Sequence, residues 1–176
     1  MLLDLQPTLQ NDLIILRPLH KSDYISLYKV ASDPLIWFQH SCNDRYQEIT
    51  FKKIFDESIK SKGALIVIDR RSNEIIGSTR FNRLSTTDTA IEIGWSFLSR
   101  TYWGGHYNKA VKYLMIEYAF SAIEDIIFYI DKNNIRSQKA VEKIGSQHVP
   151  GDTLRHLHCG NPNNMTYLIS KIEWLK

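Results

Sequence analysis

The sequence predicts a mixed α/β fold in one domain spanning residues 1–176, and three observations carry that expectation. Strand-like runs at Ala64 to Asp69, Ile75 to Leu84 and Thr89 to Leu98 follow one another as a meander, with turn-forming residues at Arg71-Ser72-Asn73 and Ser85 to Asp88. Helical periodicity appears before and after them. At the junction, IEIGWSFLSRTYWGGHYNKAVKYLMIEYAF reads as strand, glycine-containing turn and long helix.

Taken in order, Leu13 to Leu16 forms a first short strand that ends at Arg17-Pro18. Ser22 or Asp23 starts a helix that runs to about Ala31, where Asp33-Pro34 stops it because the residue before proline is driven out of helical backbone. A second helix spans Ile49 to Lys60 with Ile54, Phe55 and Ile59 on its apolar side. In the junction, Ile91, Ile93, Trp95 and Phe97 alternate with Glu92, Gly94, Ser96 and Leu98, the period of a strand. Ala110, Val111, Leu114, Met115, Tyr118 and Ala119 then make one helical stripe, with Lys109, Lys112 and Glu117 off it. Ile126 to Asp131 is a buried strand, Ile135 to Ile144 a helix closed by Gly145, and Met165 to Trp174 a last long strand.

Composition bounds the function classes. Of 176 residues, 43% are hydrophobic, enough for one sizeable core. No apolar run is long enough to span a bilayer, and the opening MLLDLQPTLQNDL lacks the basic-then-apolar order of a signal peptide, so no membrane partner and a cytoplasmic location are expected. Cys42 and Cys159 are too few and too far apart for a disulfide framework. A net charge of +3 with scattered basic residues gives no nucleic-acid stripe, yet suits an anionic ligand. His156, His158 and Cys159 crowd together in LRHLHC, but their irregular spacing favours an ordinary loop or substrate-side lining over a metal site. No metal is expected.

The junction has the makings of a phosphate site. Gly104 and Gly105 let backbone approach a ligand, and the first amides of the following helix lack intrahelical acceptors at its positive dipole end. Glycines that serve only the turn geometry explain the same residues.

The stretch resembles the acyl-CoA-binding core of the GNAT acetyltransferases, in particular the RimJ/RimL-like branch. The likeness covers nearly the whole chain, through LRPLHKSDY, IIGSTRF, IEIGWSFLS, YWGGHYNKAVKYLMIEYAF, NNIRSQKAVEKIG, GDTLRHLH and a closing strand ending in EW. It implies the GNAT fold, a central twisted, mixed and mostly antiparallel sheet flanked by helices. It also implies acetyl-CoA as cosubstrate and an amine as acceptor, taken up in a ternary complex by direct attack. The family's phosphate loop has the pattern R/Q-x-x-G-x-G/A, whose amides hold the coenzyme A pyrophosphate. The matching positions are Trp103, Gly104, Gly105, His106, Tyr107 and Asn108, with His106 replacing a glycine and Asn108 replacing glycine or alanine.

By the same resemblance the pantetheine arm pairs with backbone at Ser96, Phe97 and Leu98, Asn134 bonds to that arm, and Ser137 relays a proton to the sulfur in place of a tyrosine, since Ala140 and Val141 stand one turn further on. Acyl transfer to an amine needs a proton acceptor, and relatives with a glutamate base carry it eleven residues before the loop pattern, the separation of Glu92 from Trp103. Two bland readings stay open beside these: Glu92 as a strand carboxylate facing solvent or paired with Arg80 or Arg83, and Asn134 and Ser137 as plain helix caps. Trp37, Phe38, His40 and Tyr46 read as core caps or, by family likeness, as one wall of the acceptor cleft, and Arg155 as a partner of an acidic acceptor or of Glu142 or Asp152. The acceptor is a peptide N-terminus or a small amine, and the chain a monomer or homodimer. An acyl-CoA-binding or sensing protein of little catalytic power is the second reading, kept open by His106 and Asn108, and an RNA- or ribosome-binding module the third.

Overall fold

The computed structural model describes residues 3–150, 157 and 161–176. Eight strands form one sheet in the order β1-β2-β3-β4-β5-β6-β8-β7. They are β1 (Leu9–Gln10), β2 (Ile14–Pro18), β3 (Ala64–Asp69), β4 (Ile75–Arg83), β5 (Ala90–Leu98), β6 (Asp125–Asp131), β7 (Gln147–Val149) and β8 (Asn164–Ser170). The helices are α1 (Tyr24–Ala31), α2 (Pro34–Trp37), α3 (Glu48–Ser61), α4 (Tyr107–Ala119), α5 (Ile135–Glu142) and α6 (Lys171–Trp174).

All neighbouring strands are antiparallel except β5 and β6, which run parallel over only three rungs, Ala90 with Asp125, Ile91 with Ile126 and Glu92 with Ile127. Beyond Glu92, β5 keeps its partner β4 and β6 keeps β8, so the sheet opens into a V. One face of the sheet buries Ile91, Ile93, Leu98 and Phe128 against Val111, Met115 and Ile116 of α4. The other packs Ile66 and Ile68 against Leu27, Trp37, Phe51 and Phe55 from α1, α2 and α3.

Several expectations need correction. Pro34 does end the first helix, but it also occupies the first turn of α2, whose Asp33 side chain accepts a bond from the Leu35 amide. Asp23 stands at the start of α1 as expected, but its side chain makes no capping bond to that helix. It closes the short 3₁₀ turn Lys21–Asp23 by accepting from the His20 amide at 2.8 Å, and it takes a bidentate bond from Arg17 at 2.8 and 3.0 Å. The last strand stops at Ser170, whose hydroxyl accepts from Glu173 N and starts α6, so the run to Trp174 is strand followed by helix. The apolar stripe of α4 is rotated towards Lys112 and Ile116, both buried, while Leu114 and Tyr118 lie at its edge.

The alternation of β5 is also broken. Ser78 pairs with Phe97 but Arg80 pairs with Gly94, so two residues of β5 stand opposite Thr79 and form a bulge. Trp95 in that bulge has φ +51°, and the Arg80 guanidinium stacks 3.2 Å from its ring centroid. Past the bulge the pattern slips by one, which places Leu98 in the α4-side core and turns Phe97 to the opposite face against Trp37.

Candidate active site

The V between β5 and β6 opens into a cleft of about 1030 Å³. Glu92, Ser96, Phe97, Leu98, Trp103, Gly104, Gly105, Asn108, Asn134 and Ser137 all line it, which brings ten of the twelve residues expected from the sequence together. His106 and Tyr107 are not among the lining residues. The Tyr107 hydroxyl bonds to Asp69 Oδ1 at 2.8 Å and its ring packs on Tyr102, so this side chain serves the core.

The loop before α4 is shaped by a few contacts. Trp103 Nε1 donates to the Leu98 carbonyl at 2.9 Å, tying the loop to the end of β5, and Arg136 lies over the Trp103 ring at 4.1 Å. Gly104 follows with φ +73°, a conformation that favours glycine, and a Cβ at either Gly104 or Gly105 would meet open space. The first helical bond of α4 runs from Ala110 N to the His106 carbonyl. Among the described residues the amides of residues 104–109 donate to no backbone carbonyl, so a row of donors stands at the positive end of α4. Lys109, Lys139 and Lys143 add cationic lining, and beyond Glu92 the edge of β5 facing the V pairs with no strand. These features fit an anionic diphosphate attached to an extended, amide-bearing arm.

Glu92 is 7% exposed. Its Oε2 accepts from Asn82 Nδ2 at 2.8 Å, the residue directly across on β4. Burial raises its pKa, and the Asn82 bond and the nearby Arg80 charge pull it partly back. It therefore neither faces solvent nor forms an ion pair with Arg83, whose guanidinium instead bonds the Leu3 carbonyl. Asn134 does cap α5, its Oδ1 accepting from Ser137 N at 3.2 Å, and both residues still face the cleft.

The α2–α3 connection supplies the far wall. Trp37 is buried and donates to the Ala31 carbonyl at 2.7 Å, so it is a core cap that also borders the cleft, whereas Phe38 is exposed. His40 lines the cleft, and burial together with Arg45 lowers its pKa to about 4, which keeps the ring neutral. Tyr46 packs on the second core, its carbonyl accepting from the Tyr28 hydroxyl. Arg136 closes this wall onto α5 by donating to the Ile36 carbonyl at 2.7 Å.

Of the lining residues that had no place in the sequence reading of the site, two touch its polar centre. Asn82 is one, and its signal was its position across the meander from Glu92. Lys112 is the other: it is 5% exposed, donates to Ser96 Oγ at 2.7 Å and sits 5.3 Å over the Phe128 ring. Burial lowers its pKa to about 7. His156, His158, Cys159 and Arg155 lie outside the described residues; among the described ones no group of three His, Cys, Asp or Glu side chains could hold a metal. Among the described residues no helix is long and apolar enough to cross a membrane.

A V-shaped opening in a mostly antiparallel sheet, with a glycine loop and a helix start at its mouth, defines an acyltransferase cleft of one class. The acetyltransferase (GNAT) domain model matches residues 14–147, and the chain belongs to that family, as an N-acetyltransferase. Solved structures agree in fold. A GCN5-related N-acetyltransferase from Brucella melitensis superposes with TM-score 0.78 at 17% identity, over 97% of this chain and 81% of that one. A probable GNAT-family acetyltransferase from Chromobacterium violaceum gives TM-score 0.79 at 17% identity, over 96% and 88%. RimJ of Mycobacterium smegmatis in complex with CoA-disulfide gives 0.71 at 13% identity, over 100% and 93%. Comparison with curated proteins finds no significant match.

Proposed function

We propose that the chain transfers the acetyl group of acetyl-CoA to a primary amine, either a protein N-terminus in the manner of the RimJ/RimL-like branch or a small molecule, by direct attack in a ternary complex in the cytoplasm. The observation that carries this reading is the V that opens just past Glu92, with free loop amides at its mouth and a buried carboxylate at its apex. In it, the amides between Trp103 and Asn108 hold the diphosphate, Ser96 to Leu98 pair with the pantetheine arm, and Asn134 borders that arm.

Glu92 takes the proton that the amine must lose for its lone pair to attack. A carboxylate whose pKa is raised by burial is a stronger base than one in water. Wall residues Trp37, His40 and Arg136 face the acceptor. The likeness to the RimJ complex with CoA-disulfide supports the choice of coenzyme.

A thiol-release assay with acetyl-CoA against a panel of N-terminal peptides and small amines tests the proposal. It predicts amine-dependent thiol release with at least one acceptor. Tight coenzyme binding without release by any amine would favour the alternative of an acyl-CoA sensor, the reading that His106 and Asn108 keep alive because they depart from the loop pattern.

A further inference from the structure

A buried lysine at the apex of the V has no part in the proton path through Glu92. Lys112 rises from α4 into the gap where β5 and β6 part, and Phe128, under its ammonium, is the first residue of β6 beyond the last shared rung. Its bond to Ser96 Oγ reaches the strand expected to carry the pantetheine arm. Ser96 in turn bonds Thr79 Oγ1 at 2.8 Å, and Thr79 donates to Met115 sulfur at 3.2 Å, so the hydroxyl that receives the lysine is itself held in place. Glu92 belongs to the same level of the sheet but to its other face, since its neighbours Ile91 and Ile93 point into the α4-side core.

Besides Glu92, His40 and the phenols of Tyr102 and Tyr129, the ionisable groups around the cleft are Asp131 on β6, Arg83 on β4, Arg45 before α3, Lys109 on α4, and Arg136, Lys139 and Lys143 on and after α5. Among the described residues no carboxylate forms an ion pair with Lys112. A buried cation without a counter-charge is costly, and it is relieved when an anion forms beside it.

We propose that Lys112 is a catalytic residue that stabilises and then protonates the departing coenzyme A thiolate. This rests on the acetyl-transfer reading given above. As the amine nitrogen forms its bond to the thioester carbon, the carbon–sulfur bond breaks and its electron pair goes to sulfur. One Lys112 Nζ–H proton passes to that sulfur, leaving a neutral amine; Glu92 already holds the proton taken from the ammonium form of the acceptor, and the second proton, lost by the acetylated nitrogen, passes to solvent. Both groups return to their starting states by proton exchange with solvent as products leave. The ammonium is a better acid for this task than the Ser137 hydroxyl, and burial lowers its pKa further, to about 7.

The test reads the ionisation of the coenzyme A thiol through its thiolate ultraviolet absorbance, free and bound to wild type, Lys112→Met and Ser137→Ala. The expected result is a tenfold or greater increase in the thiol ionisation constant on binding to wild type, kept in Ser137→Ala and abolished in Lys112→Met, with coenzyme affinity of the Met variant within about threefold of wild type. Acetyl transfer by Lys112→Met falls by about a hundredfold. Bound thiol that ionises no more readily than free thiol in wild type overturns the assignment without recourse to any variant, and so does equal ionisation in wild type and Lys112→Met. A wild type that binds no coenzyme A overturns the acetyl-transfer reading and this proposal with it.

Discussion

At the residue scale the proposed chemistry turns on what surrounds Glu92. A carboxylate 7% exposed loses hydration, which favours its neutral form, while Asn82 Nδ2 at 2.8 Å and the charge of Arg80 favour the anion. A base works only when ionised, so the rate is expected to rise with pH through a pKa above the ordinary glutamate value and to fall below it. Glu92→Gln should lower the rate at neutral pH by one or more orders of magnitude and leave coenzyme affinity nearly intact, as read from kcat and from calorimetry. Asn82→Ala removes the bond that favours the anion, so the acid limb of the pH–rate profile should move to higher pH; an unmoved limb would take Glu92 out of the proton path. Glu92 was legible in the sequence because its distance from the loop is a one-dimensional fact. Lys112 was not. It lies off the stripe drawn from Ala110, Val111 and Leu114, yet Met115 and Ile116, at the helical spacings from it, are buried with it. Only the gap between β5 and β6, a tertiary feature, makes room for a lysine on that face.

At the scale of elements, the end of β5 is held in place by its neighbour. Gly77 stands opposite Leu98, and a Cβ there would lie 2.0 Å from the Phe97 carbonyl oxygen and 2.8 Å from the Leu98 side chain. Gly77→Ala is therefore expected to destabilise the protein by about 2–3 kcal/mol, measured by urea unfolding, and to weaken coenzyme binding by displacing the strand edge that receives the arm. The strands themselves were readable to within a few residues, since period-two alternation and turn chemistry are local. The bulge was not, because Trp95 at φ +51° is stabilised by Arg80 from the adjacent strand and no residue in β5 announces it. The end of β8 was misread for a different reason. Ser170-Lys171-Ile172-Glu173 carries the Ser-x-x-Glu signature of a helix start, and the apolar run before it drew the strand on past that signal.

At the scale of the whole molecule, the sheet is two antiparallel halves joined by three parallel rungs, and the cleft is where the joint opens. The first half buries Phe51, Phe55 and Trp37 on one face, and α4 covers the joint from the other. A mixed α/β architecture was legible from element order, and the family resemblance supplied the sheet. What neither supplied was the buried Lys112 side chain at the same opening. The central claim is that this opening takes the coenzyme, diphosphate at the loop and thioester at the apex. Amide chemical shifts of ¹⁵N-labelled protein titrated with coenzyme A test it most directly. Saturable shifts of Gly104, Gly105, Tyr107, Asn108 and Lys109, together with Ser96 and Leu98, are the predicted result. Saturation with those amides unmoved, or no saturation at all, would contradict it.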